Sequence, residues 1–307
     1  MLEQILPPAP ETEYPNYGKI ETIVWDGDNT LWPWVSYAAP AYEAMCSVIA
    51  QESGKTEDEV ADAMRTIYAE AGTMEYENLI QDLATRGFFE GMSSYNQHDI
   101  IEKAQKAFAD VRRKKLKLYP GIKDAVEKAH KNEIKNIMLT DAPEHQARMR
   151  MKRSRIFKYF EHGIVALPSA ELKDIHPKFQ RRRERGDYDV KFASKAVNTE
   201  KPHSNLEEIL NMTREQIRNH VIIIGDNPQK DMALVQAYGC RGILAAYGKP
   251  DPADLEKLKR FAPPRIASKN AVTSESKIKE NSQGHIVVVN DPKDISKVLH
   301  FANYPLI

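Results

Sequence analysis

Six short strand-like runs punctuate this chain, most of them continuously apolar, and helical patterns separate them. They are Lys19–Trp25 (KIETIVW), Asn136–Thr140 (NIMLT), Gly163–Ala166 (GIVA), Val221–Ile224 (VIII), Gly242–Ala246 and Ile286–Val289. A strand without polar alternation suits a sheet covered on both faces, and strands alternating with helices make that sheet parallel. Between the first two runs the rhythm is helical throughout. Pro40 suits a first helical turn, followed by Ala41, Ala44, Met45, Val48 and Ile49 on one face. Thr56 with Glu59 forms a capping box ahead of the stripe Val60, Met64, Ile67, Tyr68. Two more amphipathic stretches carry Tyr76, Leu79, Ile80, Leu83 and then Ile100, Ile101, Ala104, Phe108, Val111. The expectation is an α/β fold, a doubly wound parallel sheet spanning 19–35 and 118–307, interrupted by an all-helical domain over 36–117. Residues 1–18 read as an extension. The charged stretch at about 168–200 and the Ser/Lys/Pro-rich 262–284 read as loops or local insertions on the core.

Composition narrows the function classes. The 307 residues carry 44 basic and 44 acidic side chains, a balance that argues against a dedicated nucleic-acid or membrane-surface protein. The run Arg181-Arg182-Arg183-Glu184-Arg185 invites a nucleic-acid or polyphosphate reading, but its interspersed acid favours a solvated loop. Cys46 and Cys240 stand far apart without metal-ligand spacing, so a reducing, cytoplasmic setting is expected. No apolar run approaches the roughly 20 residues of a membrane span. The N-terminal stretch, acidic and with four prolines, has none of a signal peptide's pattern. His145, His162, His176 and His203 show no zinc spacing and read as surface or structural.

The chemistry sits where the strands end, because ligands bind at the carboxyl edge of an open parallel sheet. Asp26-Gly27-Asp28-Asn29-Thr30 follows the first strand; two carboxylates so placed can divide the roles of nucleophile and acid/base. An Asx turn is the plainer alternative. Thr140, next to Asp141, closes the second strand and reads either as a hydroxyl donor, with its own backbone N–H, at the same sheet edge or as a strand-end turn. Lys201, ahead of Pro202, is either a phosphate-binding cation beside a helix start or a solvated lysine. The strand Val221–Ile224 runs into Gly225-Asp226-Asn227-Pro228-Gln229-Lys230-Asp231, whose two carboxylates call for a metal or hydrogen-bond compensation unless Asp231 is an N-cap. Trp32, Pro33 and Trp34 either line the pocket or pack the hinge, the second being favoured.

Taken in order, these pieces resemble the haloacid dehalogenase-like (HAD) superfamily, mostly phosphatases. DGDNT matches its DxDxT motif, Thr140 its Ser/Thr motif, Lys201 its lysine motif and GDNPQKD its acidic GDxxxxD motif; YPG, EKP and the Tyr-Gly after Ala246 match as well. The resemblance covers about 19–250 outside the charged insertion, and the insertion between the first two motifs resembles that superfamily's helical cap. It implies a Rossmann-like core and Mg²⁺ held by Asp26, the Asp28 carbonyl and Asp226, with Asp231 supporting. It further implies Asp26 as nucleophile forming an aspartyl-phosphate, and Asp28 as acid/base, kept near protonated by neighbouring negative charge. Thr140, Asp141 and Lys201 would bind the phosphate of a small phosphomonoester. The superfamily's dehalogenases lack the second aspartate, so Asp28 points to phosphoryl chemistry. A phosphotransferase or mutase, a nucleotide or nucleic-acid-end phosphatase using the basic insertion, and a non-catalytic binding protein are the rival readings. Substrate identity and oligomeric state are not legible.

Overall fold

The strands do form one parallel sheet. The computed structural model describes residues 19–160, 163–169, 194–196, 201, 205–264 and 285–301. The proposed N-terminal extension, the basic run at 181–185, His162, His176, His203 and most of the Ser/Lys/Pro-rich stretch lie outside them. Strands β1 (Thr22–Trp25), β2 (Lys135–Pro143), β3 (Ile164–Leu167), β4 (Ser194–Ala196), β5 (Val221–Gly225), β6 (Arg241–Ala245) and β7 (His285–Val289) line up in the order β4-β3-β2-β1-β5-β6-β7. The chain moves outward from β1 to β4, returns to the far side of β1 at β5, and moves outward again. That reversal puts a topological switch point between β1 and β5, where a crevice opens at the strands' carboxyl ends. The register sets Trp25 beside Met138 on one side and Ile224 on the other. Asp26 therefore leaves the sheet next to the ends of β2 and β5, and its N–H donates to the Ile224 carbonyl (2.8 Å).

Between β1 and β2 the chain forms α1 (Trp34–Ser53), α2 (Glu57–Ala71), α3 (Leu79–Thr85) and α4 (Ser94–Lys115). Thr56 and Glu59 make the reciprocal capping box, and Gly72 ends α2 in a left-handed conformation (φ 70°). Pro40 lies inside α1, not in its first turn, since the helix begins at Trp34. The missing N–H removes one backbone bond, but Val35, Ala38, Ala39 and Tyr42 continue a buried stripe through the proline. Further along come α5 (Ile122–Lys131), α6 (Glu144–Arg153), α7 (Leu206–Leu210), α8 (Arg214–His220), α9 (Asp231–Tyr238), α10 (Pro252–Lys259) and α11 (Ile295–Phe301). Two of these elements differ from expectation. Part of the charged stretch is the edge strand β4, paired in parallel with β3, and a second helix, α8, opened by a Thr213–Gln216 capping box, precedes β5.

The two faces of the sheet are covered differently. Val24, Ile137, Leu139, Val165 and Ile223 pack beneath α7–α9. On the other face Ile23, Trp25, Met138 and Ile224 join a single apolar cluster that runs on through Trp34, Met45, Val60, Met64, Ile67 and Ile100. The helical insert thus shares a core with the sheet, and Phe261, just after α10, stacks on Tyr42 of α1 at 6.2 Å. Among the described residues no helix is long and apolar enough to cross a membrane.

Candidate active site

The loop after β1 is held by its own backbone. The Gly27 carbonyl accepts from the N–H groups of Thr30 (3.3 Å) and Leu31 (2.8 Å), and the Asn29 N–H donates to the Trp32 carbonyl (2.8 Å). Asn29 takes a left-handed conformation (φ 59°), which its short polar side chain tolerates. From the far side Tyr247 donates its hydroxyl to the Thr30 carbonyl (2.9 Å). Gly248 follows it because a Cβ there would fall 2.1 Å from the Asn29 oxygen. The Tyr-Gly pair after β6 is therefore a clamp on the first loop.

Asp26 is 7% exposed. One of its oxygens accepts from the Lys201 ammonium (2.5 Å), the other from the Thr30 hydroxyl (3.1 Å). Lys201 Nζ also reaches Asp231 (2.6 Å). Asp26, Asp226 and Asp231 each bring a carboxylate oxygen within 4.8 Å of the others. Three carboxylates facing one ammonium leave two negative charges uncompensated. Burial, opposed by Lys201 and reinforced by Asp231, pushes the Asp26 carboxyl up to about 7. Asp226 is raised well above the carboxylate range by burial and then by Asp26 and Asp231. Such a set of hard oxygen donors could hold a divalent cation. Asp231 is the first residue of α9, not its cap, and accepts the Asn227 N–H (3.1 Å).

Thr140 is buried at the end of the second strand's apolar run, and its hydroxyl oxygen accepts the Ala142 N–H (3.2 Å). A Cβ on Gly27 would stand 3.3 Å from that same oxygen, which places Thr140 against the first loop. Asp141 has a different surrounding from the one expected of a phosphate ligand. Its carboxylate accepts the Lys201 N–H (2.9 Å) and the Lys230 ammonium (2.6 Å). Burial would raise its pKa, but Lys201 and Lys230 together bring it below the usual value. Asp141 thereby holds Lys201's backbone in place.

Asp28 takes part in none of this cluster's hydrogen bonds, although its charge acts on Asp26 and Asp226. The sequence suggests negative neighbours; the groups in hydrogen-bonding reach are the Arg150 guanidinium (2.6 Å) and the Trp32 indole N–H (2.7 Å), both on Oδ1. Arg150 also pairs with Glu75 of the helical insert, and the Trp34 indole donates to the same Glu75 oxygen (3.0 Å). Trp32 and Trp34 are both buried in the apolar cluster that sheet and insert share, and each also donates to a carboxylate. Sequence reasoning missed Arg150, Glu75 and Lys230. The available signal was faint: Arg150 shares a helix face with the buried Ala147 and Met151.

All four strand-end motifs thus meet at the switch point. The family model described as haloacid dehalogenase-like hydrolase matches residues 20–179, and a second, described as "HAD-hyrolase-like", matches 199–271. Among solved structures, a 2-haloacid dehalogenase from Pseudomonas syringae pv. Tomato DC3000 is 17% identical, covering 92% of this chain and 99% of that one, with a TM-score of 0.51. A HAD phosphatase from Thermococcus onnurineus is 13% identical over 93% of this chain and 100% of that one, with a TM-score of 0.48. A haloacid dehalogenase-like family hydrolase from Xanthomonas campestris is 13% identical over 93% and 92%, also at 0.48. No curated protein matches. At these identities the likeness to solved structures is one of fold.

Proposed function

The chain belongs to the haloacid dehalogenase-like hydrolase family, and from that premise we propose that it is a magnesium-dependent phosphatase acting on a small phosphomonoester through an aspartyl-phosphate on Asp26. The observation that carries the reading is the meeting of Asp26, Asp226, Asp231 and Lys201 at one sheet edge, with a second aspartate, Asp28, two residues along. Asp28 also argues against dehalogenation, which runs without that residue in the family's dehalogenases.

The donor set fits Mg²⁺: Asp26, the Asp28 carbonyl and Asp226 would hold it, and Asp231 would support them. When bound, the ion offsets the repulsion between an anionic nucleophile and an anionic substrate. A carboxylate oxygen of Asp26 attacks phosphorus in line with the ester oxygen, forming the acyl-phosphate bond as the P–O ester bond breaks. Asp28 gives its proton to the departing oxygen. Water then attacks phosphorus, Asp28 takes its proton, and orthophosphate leaves with Asp26 restored. Lys201 and the Thr140 hydroxyl stabilise the equatorial oxygens while charge builds on them.

The test is phosphate release from p-nitrophenyl phosphate and a panel of sugar phosphates, nucleotides, phosphoglycolate and phosphopeptides, with Mg²⁺ or with EDTA. Activity with Mg²⁺ that EDTA abolishes supports the reading. Chloride release from a 2-chloro acid with no phosphate release from any ester would reject it.

A further inference from the structure

We propose that Arg150 is a positioning residue for the acid/base Asp28 and that Glu75 of the helical insert controls it, so that leaving-group protonation depends on contact between insert and core. The inference rests on the role of Asp28 proposed above. Arg150 is 1% exposed. A buried guanidinium is costly unless carboxylates face it. Arg150 has two, one on each arm, and they come from different parts of the fold: Asp28 from the loop after β1, Glu75 from the segment between α2 and α3. Because the guanidinium is a rigid planar fork, fixing one arm fixes the direction of the other. Its carbon also lies 5.8 Å from the centre of the Tyr37 ring in α1.

Two details favour a role in catalysis over plain stabilisation. Arg150 and Trp32 both donate to Oδ1 of Asp28. Among the described residues nothing donates to Oδ2, which leaves one oxygen for a leaving group while the other is held. Glu75 is likewise held twice, by Arg150 and by the Trp34 indole. Trp32 and Trp34 flank the first of the two crossings between core and insert, so the chain Trp32–Asp28–Arg150–Glu75–Trp34 closes a ring across it. An insert that shifts relative to the sheet pulls Glu75 from one arm of Arg150 and so changes the direction in which the other arm holds Asp28.

A purely structural pair and a positioning pair differ in leaving-group dependence. Protonation matters little for a p-nitrophenolate leaving group, which departs as a stable anion, and greatly for an alkoxide. The experiment measures kcat and KM for p-nitrophenyl phosphate and for an alkyl phosphate in the wild type, Asp28→Asn, Arg150→Lys and Glu75→Gln, with thermal midpoints for each. The expected result is that the alkyl-to-aryl ratio of kcat falls about 10²-fold in Asp28→Asn and about 10-fold or more in Arg150→Lys and Glu75→Gln. Equal losses on both substrates, or none, in Glu75→Gln would overturn the inference; that near-isosteric variant decides if Arg150→Lys does not fold. A wild type silent on every phosphate ester, or an Asp28→Asn with an unchanged ratio, would instead strike at the proposed function.

Discussion

Asp26 and Asp28 are separated by one glycine yet belong to two different regions. Asp26 looks into the sheet edge, where three carboxylates crowd one lysine and its own carboxyl is pushed up to about 7. Asp28 looks toward the helical insert, where one arginine stands between two carboxylates and two indole N–H groups complete the ring. The first region has two negative charges in excess, which a divalent cation can offset; the second has one, two carboxylates on a single guanidinium, with a neutral indole N–H donating to each. Two carboxylates with the same intrinsic chemistry are thereby set to different tasks by what surrounds them.

The comparison can be broken most severely at Asp26. In Asp26→Asn phosphate release should fall at least ~10³-fold on aryl and alkyl esters alike, because both need the nucleophile. A loss confined to alkyl esters would mean that the two regions had been assigned the wrong way round.

The burial of Asp26, reinforced by Asp231 and opposed by Lys201, predicts a pH effect in the folded protein with EDTA present. Its carboxyl is raised from 3.8 to about 7, so the folded state binds a proton that the unfolded state has already released between those values. The group's contribution to stability is therefore greatest below about pH 4 and is lost as pH rises through about 7. The unfolding free energy from urea titration of wild type minus that of Asp26→Asn should fall across that window, by on the order of 1 kcal/mol or more. Mg²⁺ should bind more tightly as pH rises, since it competes with the same proton. A difference that grows with pH would contradict a buried, raised Asp26 carboxyl.

Trp32→Phe keeps the buried ring and removes one of the two donors to Asp28. A loss of about 1 kcal/mol, or several-fold in kcat on alkyl esters, is expected from one hydrogen bond, with little change on aryl esters. Smallest of all, Thr56→Ala removes the cap of α2 within the insert but far from the ring in sequence. It should lower stability by about 1 kcal/mol and leave the alkyl-to-aryl ratio unmoved, as thermal melts and the two-substrate assay would show.

The sheet-edge region was legible in the sequence because its residues contradict their surroundings: Asp26, Thr140 and Asp226 each follow an apolar run that a strand core explains and they do not. The arginine ring was not legible. Arg150 sits in EHQARMRMKR, where charged residues outnumber apolar ones and suggest a solvated face. Its partner Glu75 lies far away in the chain, in a segment without regular structure, and only packing brings them together. Strand β4 was hidden for another reason: Ser194–Ala196 pairs through its backbone at the edge of the sheet and has no apolar run to announce it. Pro40 misplaced the start of α1 because a local preference lost to the buried stripe around it.

Covalent capture on Asp26 can be tested by quenching the protein during turnover of a phosphomonoester with Mg²⁺, reducing with borohydride and mapping the peptides by mass spectrometry. Homoserine in place of Asp26, absent from the Asp26→Asn variant and from the EDTA control, is the predicted result. Rapid turnover with Asp26 unmodified, or with the reduced residue at another carboxylate, would contradict it.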